Sequence, residues 1–182
     1  MKTIYTLITS LLILSCASSR VDVMSNESLN QWIDAKQYSL EATTAMPMNT
    51  VAVSAVLNSN ILGPGNSASQ INLIGNSNFL RIKGDSIHAS LPYFGERRMG
   101  GSYNSRETGI TVNGLYKDYK IDTKKGMYVI TFSARDTQGN ENYDFILNIS
   151  PSLHADYSVQ SSQRSNIHYR GRIEKLDLEN QE

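Results

Sequence analysis

The segment that most constrains the fold is residues 79–91, in which two alternating stretches flank Gly84 and Asp85. If Gly84 and Asp85 form a tight turn, Ile82 lies opposite Ile87 and the apolar side chains of both stretches share one face. Glycine at the first turn position is typical of a type II′ turn, whose twist matches that of the flanking strands. The segment therefore predicts a β-hairpin with one apolar and one polar face.

The same period of two recurs along most of the chain, which predicts further strands. They cover residues 38–44, 50–57, 70–74, 110–112, 115–121, 128–134, 143–149, 153–159 and 167–173. A loop at residues 123–126 would place Ile121 opposite Tyr128, and Gly114 predicts a bulge. The pattern therefore describes a series of hairpins connected by short turns.

Before the first of these strands, residues 25–37 show a helical spacing of Leu29, Trp32 and Ile33. Consecutive hairpins favour antiparallel sheets over parallel ones. We therefore predict a mainly β fold: a single antiparallel β domain, either a sandwich or a partly closed barrel, with one N-terminal helix. This domain covers residues 25–175 and is followed by a polar tail at residues 176–182.

The N-terminus resembles an export signal, because Lys2 precedes an apolar stretch at residues 4–14 that is too short to span a bilayer. The run Ile13-Leu14-Ser15-Cys16 resembles a bacterial lipobox, in which the cysteine becomes the lipidated first residue of the mature chain. Cys16 is the only cysteine, so it has no partner for an intramolecular disulfide. We predict a lipoprotein signal peptide at residues 1–15, lipidation of Cys16 and a tether at residues 16–24; the alternative is an ordinary signal peptide with an incidental cysteine.

The predicted hairpin runs into a glycine-rich loop that carries both aromatic and arginine side chains. These residues are Tyr93, Phe94, Arg97, Arg98, Tyr103 and Arg106. In one interpretation the aromatic side chains fold back and plug one end of the core. In the other, the loop is a binding site.

A second group of arginines lies at the predicted last strand. Arg164, Arg170 and Arg172, with His168 and Tyr169, predict a basic outer face. Such a face either discourages aggregation of the sheet or binds an anion or a partner. If the two groups of arginines meet in space, the binding hypothesis is favoured.

Several of these motifs resemble the domain of unknown function 4251 family. The motifs are the run from Ile82 to Ile87, the run Leu91-Pro92-Tyr93-Phe94-Gly95, the pair Gly109-Ile110 and the segment from Arg164 to Ile173. The resemblance covers residues 29–173 and implies a bacterial envelope protein that is secreted or lipid-anchored. It implies no known activity and no catalytic residues.

The composition and motifs limit the chemistry that the chain is predicted to perform. Lysine and arginine together number 17, as do aspartate and glutamate, so no overall field would recruit nucleic acid. Neither a nucleophile elbow nor a phosphate-binding loop is present, and His88, His154 and His168 lack the spacing of metal ligands. The loop from Asp136 to Asp144 is either a calcium site or a solvated turn. We predict no catalytic residue, no metal ligand and no cofactor.

Three functions are consistent with these sequence features. The first is a non-enzymatic envelope lipoprotein, exported and anchored through Cys16 on the periplasmic side or at the outer membrane, whose loop contacts an unknown envelope protein or polymer. The second is a barrel-like carrier of a small apolar ligand, indicated by many inward-facing Tyr, Ile and Phe positions. The third, a hydrolase, requires a cleft that brings a serine or carboxylate next to a base.

Overall fold

The structure, a computed structural model, shows a helix followed by ten strands. It describes residues 27–48, 50–51, 54–55, 65–67, 69–99, 109–137 and 141–177. The helix is α1 (Glu27–Asp34), and the strands are β1 (Gln37–Pro47), β2 (Ile71–Asn72), β3 (Phe79–Lys83), β4 (Ser86–Leu91), β5 (Ile110–Leu115), β6 (Lys117–Lys124), β7 (Met127–Arg135), β8 (Asn142–Ile149), β9 (His154–Ser161) and β10 (Ile167–Lys175).

All ten strands belong to one antiparallel sheet whose order is β5-β4-β3-β1-β10-β9-β8-β7-β6, with β2 paired to β1. The sheet curls until β5 approaches β7, so it forms a nearly closed barrel. This confirms the mainly β prediction and decides its two alternatives in favour of the partly closed barrel. Antiparallel hairpins between neighbouring strands account for most of the order, because short turns leave successive strands side by side.

The gap between the terminal strands β5 and β6 is bridged by side chains and a single main-chain bond. Tyr116, which lies between these strands in sequence, packs against Tyr119 and Phe132 with ring centroids 5.0 and 5.5 Å apart. The amide of Thr137 donates a hydrogen bond of 3.0 Å to the carbonyl of Thr111. Aromatic packing thus shields the interior where the ladder is interrupted.

The hairpin of β3 and β4 has the predicted register, with Ile82 opposite Ile87 and Leu80 opposite Ala89. Gly84 has a φ of 57°, and Asp85 is not among the residues with positive φ, as a type II′ turn requires. Leu80 and Ile82 of β3 and Ile87, Ala89 and Leu91 of β4 are buried. The alternating pattern and the turn chemistry therefore specify the same register.

The hairpin of β6 and β7 differs from its prediction, because its turn contains two residues and not four. Ile121 lies opposite Ile130, and Thr123 opposite Tyr128. Lys125 and Gly126 have φ values of 53° and 77°, the positive angles that a type I′ turn needs at both central positions. The observed register differs from the predicted one by two residues, an even number. Ile121 and Tyr128 therefore stay on the face predicted for them.

Replacing Lys125 by asparagine is expected to raise the free energy of unfolding by about 0.5–1 kcal/mol, because asparagine tolerates the left-handed region better than lysine. Urea denaturation followed by circular dichroism measures the change. Lys124→Asn, one residue earlier in β6, is the control and should be neutral or slightly destabilising, since asparagine is disfavoured in strands. A loss of stability in Lys125→Asn would contradict the turn assignment.

Strand β1 lies in the interior of the sheet, between β3 and β10, and contains an irregularity that the alternating pattern does not predict. Its pairing with β10 shifts between Ala42 and Thr44. Strict alternation after Ala42 would bury Thr44, but because of this shift Ala45 and Pro47 are the buried residues. Gly171 of β10 lies at this bulge, where a Cβ atom would overlap with the Glu41 carbonyl oxygen. The close approach of the two main chains therefore depends on glycine.

Two further expectations are corrected by the structure. Residues 50–57 are predicted as a strand, but the described part is helical at Val51, Ser54 and Ala55, and Ser54 donates to the Thr50 carbonyl. Gly114 forms no bulge, since β5 pairs with β4 without a shift. The irregularity lies in β6 instead, between Lys117 and Lys120.

Helix α1 closes one end of the barrel. Leu29 and Ile33 are buried, and Trp32 packs against the core, as the helical spacing predicts. The helix ends at Asp34. Two residues later Lys36 has a φ of 51°, and the chain then enters β1. The carbonyl of Lys36 accepts a hydrogen bond from Gly84, so the turn between β3 and β4 lies at this same end. We call it the helix end, and the opposite end, where the segment after β4 begins, the loop end.

Candidate functional site

The two groups of arginines predicted from the sequence meet at the loop end. Arg97, in the segment after β4, forms an antiparallel bridge with Arg164, in the turn between β9 and β10. The main chain is fastened on both sides, since Arg98 donates to the Gln163 carbonyl at 2.7 Å and Ser165 donates to the Glu96 carbonyl at 2.9 Å. Tyr103, Arg106 and Cys16 lie outside the described residues.

Glu141 is the centre of this arrangement. Its side chain is fully buried and accepts hydrogen bonds from Arg164 Nε at 2.9 Å and from an Arg97 guanidinium nitrogen at 3.1 Å. The hydroxyl of Tyr143 donates at 3.0 Å, and the hydroxyl of Ser161 donates to the other carboxylate oxygen. These donors replace the water contacts that the carboxylate loses on burial. The cluster therefore fixes the position of both arginines.

Arg164 is the more deeply buried of the two arginines. Its side chain is 7% exposed, against 30% for that of Arg97. The guanidinium lies 5.1 Å from the centre of the Tyr93 ring and 5.8 Å from that of Tyr143, and it also donates to the Gly109 carbonyl. Burial raises the pKa of Tyr143, which keeps its hydroxyl protonated as a donor to Glu141. Two cations therefore share the Glu141 carboxylate.

Tyr93 and Phe94 pack against the core, in agreement with the interpretation that aromatic residues close one end of it. The Tyr93 hydroxyl donates to the Ser165 carbonyl at 2.9 Å and lies 2.9 Å from the Ser165 hydroxyl. The amide of Glu96 donates a hydrogen bond of 3.1 Å to the Ser165 hydroxyl. These two aromatic residues are therefore part of the structure that holds the segment in place.

The predicted basic outer face of the last strand is smaller than expected. Arg164 is buried in the cluster, and Tyr169 points into the barrel, where it is fully buried. Arg170 and Arg172 are exposed on β10, and Arg170 pairs with Asp156 at 3.0 Å. Arg164 departs from the prediction because it precedes β10 and does not follow the alternation of that strand.

Exposed side chains surround the cluster at the loop end. Arg98 is exposed, Met99 is 69% exposed and Val51 is 91% exposed. Met48 is exposed as well, and its amide donates to Asn166 in the same turn that holds Arg98 and Met99. We call Met48, Val51, Arg98 and Met99 the loop-end surface. It combines apolar side chains with a cation, a composition typical of interfaces.

Glu141 belongs to a loop for which the sequence predicts either a calcium site or a solvated turn, and both interpretations are wrong for this residue. Residues 138–140 of that loop lie outside the described part of the chain. Glu141 lies two residues before Tyr143, so it is on the same face of the strand as Tyr143, Phe145 and Leu147, all of which point inward. Extending the alternation of β8 by one step would have identified a buried acid.

The three histidines are exposed, which confirms the prediction for His88 and His168. In the described ranges, no group of three His, Cys, Asp or Glu residues is arranged to hold a metal ion. Other oxygen-bearing side chains near Glu141 have protein partners: Asp144 accepts from Ser133 at 2.7 Å and Asn142 accepts from Arg135 at 3.2 Å.

Aromatic rings occupy the interior of the barrel, where the carrier hypothesis places a ligand. Phe132 stacks on Phe145 with centroids 4.9 Å apart, and Tyr157 stacks on Tyr169 at 5.2 Å. The Tyr169 hydroxyl donates to the Pro92 carbonyl at 2.8 Å. The Tyr157 hydroxyl is buried without a hydrogen-bond partner among the described residues. Burial raises the pKa of Tyr157, so an uncharged hydroxyl lies among apolar groups.

The two stacked tyrosines are expected to respond oppositely to loss of the hydroxyl. Tyr157→Phe should raise the free energy of unfolding by about 1 kcal/mol, because it removes a buried polar group that has no partner among the described residues. Tyr169→Phe is the matched control and should lower the same quantity by about 1 kcal/mol, because it leaves the Pro92 carbonyl unpaired. Chemical denaturation of both variants tests this, and a decrease in both would show that the Tyr157 hydroxyl has a partner.

The fold and this cluster define an antiparallel, nearly closed β barrel with a buried arginine–glutamate network at one end. A family model described as domain of unknown function (DUF4251) matches residues 21–173, and the chain belongs to that family. The crystal structure of a DUF4251 family protein from Bacteroides eggerthii is similar, with a TM-score of 0.55 over 85% of this chain and 89% of that chain. The sequence identity is 16%, so this likeness concerns the fold. No curated protein matches the chain.

Among the residues that the structure describes, no helix is long and apolar enough to cross a membrane.

Proposed function

We propose that the chain is an exported lipoprotein of the bacterial cell envelope, and that its loop-end surface binds another envelope protein or polymer. The anchor in this proposal is a lipid on Cys16, which is supported by the lipobox-like run at residues 13–16. Several acyl carbons together supply enough hydrophobic free energy to hold a protein on a membrane.

The first described residue and the loop-end surface lie at opposite ends of the barrel. The chain enters the described structure at Glu27, and α1 contacts the helix end, where Asn30 accepts a hydrogen bond from Tyr128. Strand β4 runs from the helix end to the loop end, and its six residues span about 20 Å. We propose that the loop-end surface faces away from the membrane that holds Cys16.

The observation that carries the proposal is the buried Glu141. The free energy needed to bury a carboxylate and the Arg164 guanidinium is large, and apolar residues of similar volume would fill the same space. What the charged cluster provides is a fixed main-chain path for residues 96–99, with Arg98 and Met99 exposed. Preorganised contact residues reduce the entropic cost of association.

The test is copurification from membranes of the native cell after chemical cross-linking. The double variant Arg98→Glu with Met99→Ser should lose the cross-linked partner, because it reverses the charge and removes the apolar side chain. Lys124→Glu with Met127→Ser, at the exposed turn between β6 and β7, is the matched control and should retain it. Equal recovery of the partner with both variants, or no partner with the unmodified chain, would contradict the proposal.

A further inference from the structure

A groove of about 360 Å³ lies on the outer face of the sheet, away from the Glu141 cluster. Its side chains come from four neighbouring strands: Met46 and Pro47 of β1, His168 of β10, Asp156 and Ser158 of β9, and Asn148 of β8. The register places Met46 opposite His168, His168 opposite Ser158, and Asn148 opposite Asp156. The groove therefore spans two adjacent cross-strand rows, one with Met46, His168 and Ser158 and the next with Arg170, Asp156 and Asn148.

Polar groups in the groove retain unused hydrogen-bonding capacity. Ser158 is only 7% exposed, and neither its hydroxyl nor the His168 ring has a hydrogen-bond partner in the part of the chain that the structure describes. Asn148 makes one long contact of 3.4 Å, to the Asp156 carbonyl. Among the described residues only the Tyr157 hydroxyl is both buried and unpaired, so the Ser158 hydroxyl can still be reached by water or a ligand.

The charge in the groove is balanced. Arg170 Nε donates to Asp156 at 3.0 Å, which neutralises the carboxylate of this groove and fixes its orientation. The other polar groups of the groove are an amide, a hydroxyl and an imidazole, which together both donate and accept hydrogen bonds. A charged ligand would meet both signs at the exposed pair of Asp156 and Arg170, so the groove favours neither sign, whereas a neutral ligand rich in hydroxyl groups matches both kinds of bond.

A peptide strand is a poorer fit than a small polar molecule. Strands β1, β10, β9 and β8 each have a neighbour on both sides, so their main-chain groups are already used by the sheet. A peptide added as a strand takes its affinity from such groups, and it binds at a sheet edge. Recognition in this groove therefore depends on side chains alone.

From these observations we infer that the groove binds a neutral saccharide. One face of a sugar ring is apolar and fits against Met46 and Pro47, while its hydroxyls bond to Asn148, Ser158 and His168. The volume is at the lower end of the roughly 300–1,000 Å³ found for ligand pockets and accommodates a mono- or disaccharide unit. The site uses different residues from the loop-end surface, so it does not depend on lipidation of Cys16 or on a partner there.

The same groove contains the residue types of a hydrolytic site, but not the hydrogen bonds that would join a nucleophile to its base. Among the described residues no hydrogen bond joins the Ser158 hydroxyl to the His168 ring, and the carboxylate of Asp156 is paired with Arg170. A nucleophile and its base are recognised by such a bond. The geometry assigns binding, without a chemical step, to these residues.

A glycan array carrying neutral and charged saccharides, probed with the full chain, tests the inference. We expect selective binding to neutral glycans, and titration of the best-binding disaccharide should shift the amide NMR signals of β8, β9 and β10 along the groove. Asn148→Ala and His168→Ala should each weaken binding about five- to tenfold, the effect of one or two lost hydrogen bonds.

His88→Ala is the matched control, because His88 is also an exposed histidine on the outer face but lies on β4, outside the groove. It should bind the disaccharide as the unmodified chain does, and all three variants should keep the same melting temperature. The inference is overturned if the array shows no binding, if only charged glycans bind, or if the NMR shifts lie elsewhere. Equal affinity in Asn148→Ala and His168→Ala to that of the unmodified chain would overturn it as well.

Discussion

Glu141→Gln is expected to lower the free energy of unfolding by about 3–5 kcal/mol, because it removes the carboxylate charge that pairs with the buried Arg164 guanidinium. The Glu141 side chain is fully buried, and that of Arg164 is 7% exposed, so water cannot replace the lost carboxylate. Glutamine keeps the volume and can still accept a hydrogen bond, which separates the effect of charge from that of packing. Urea denaturation monitored by far-UV circular dichroism measures the change.

Asp156→Asn provides the comparison for this charge effect. The pair of Asp156 and Arg170 has a similar length, 3.0 Å, but both side chains are more than half exposed. Its removal should cost less than about 1 kcal/mol, since exposed ion pairs contribute little. If Glu141→Gln were as mild as Asp156→Asn, the cluster at the loop end would not be the charged, desolvated network described above.

Gly171→Ala is expected to destabilise the sheet by more than about 3 kcal/mol or to prevent folding. A Cβ atom at this position would overlap with the Glu41 carbonyl oxygen and lie 2.8 Å from Ala42 Cα. Both neighbours are main-chain atoms of the interior strand β1, so they cannot move aside as a flexible side chain would. The midpoint of thermal unfolding, or the yield of soluble protein, reports the effect.

Gly114→Ala is the control for Gly171→Ala. Gly114 is also a strand glycine, but a Cβ atom there would meet no atom within 4 Å among the described residues. Alanine should be neutral or slightly stabilising at this site, because it reduces the conformational entropy of the unfolded chain. A tolerated Gly171→Ala would show that β1 and β10 do not approach as closely as the bulge requires.

Local patterns are sufficient to predict the hairpins whose turns carry their own signal. The registers of β3 with β4 and of β9 with β10 follow from alternation and loop length, and both are observed. The predicted turn of β6 and β7 is wrong because Lys125 adopts a left-handed conformation that lysine rarely takes, which no propensity indicates. The bulge in β1 depends on Gly171, a residue distant in sequence, and cannot be inferred from β1 itself.

The candidate site is predictable only in its components. The sequence identifies both Arg97 and Arg164, but their meeting depends on β4 and β9 ending at the same end of the barrel, which is a property of the whole topology. The burial of Glu141 can be predicted locally, since the alternation of β8, extended by one step, places it on the inward face. The groove at Ser158 and His168 has no such signal, because its lining comes from four strands that only the topology of the whole sheet places side by side.

The central claim is that this barrel is anchored in the cell envelope through Cys16 and displays its loop end to a partner. The most direct test is the intact mass of the chain extracted from membranes of its own cell, without overexpression. The account predicts a mature chain that begins at Cys16 and carries the mass of a diacylglyceryl group on that residue. A chain that retains residues 1–15, or one that is cleaved elsewhere and carries no lipid, would contradict it.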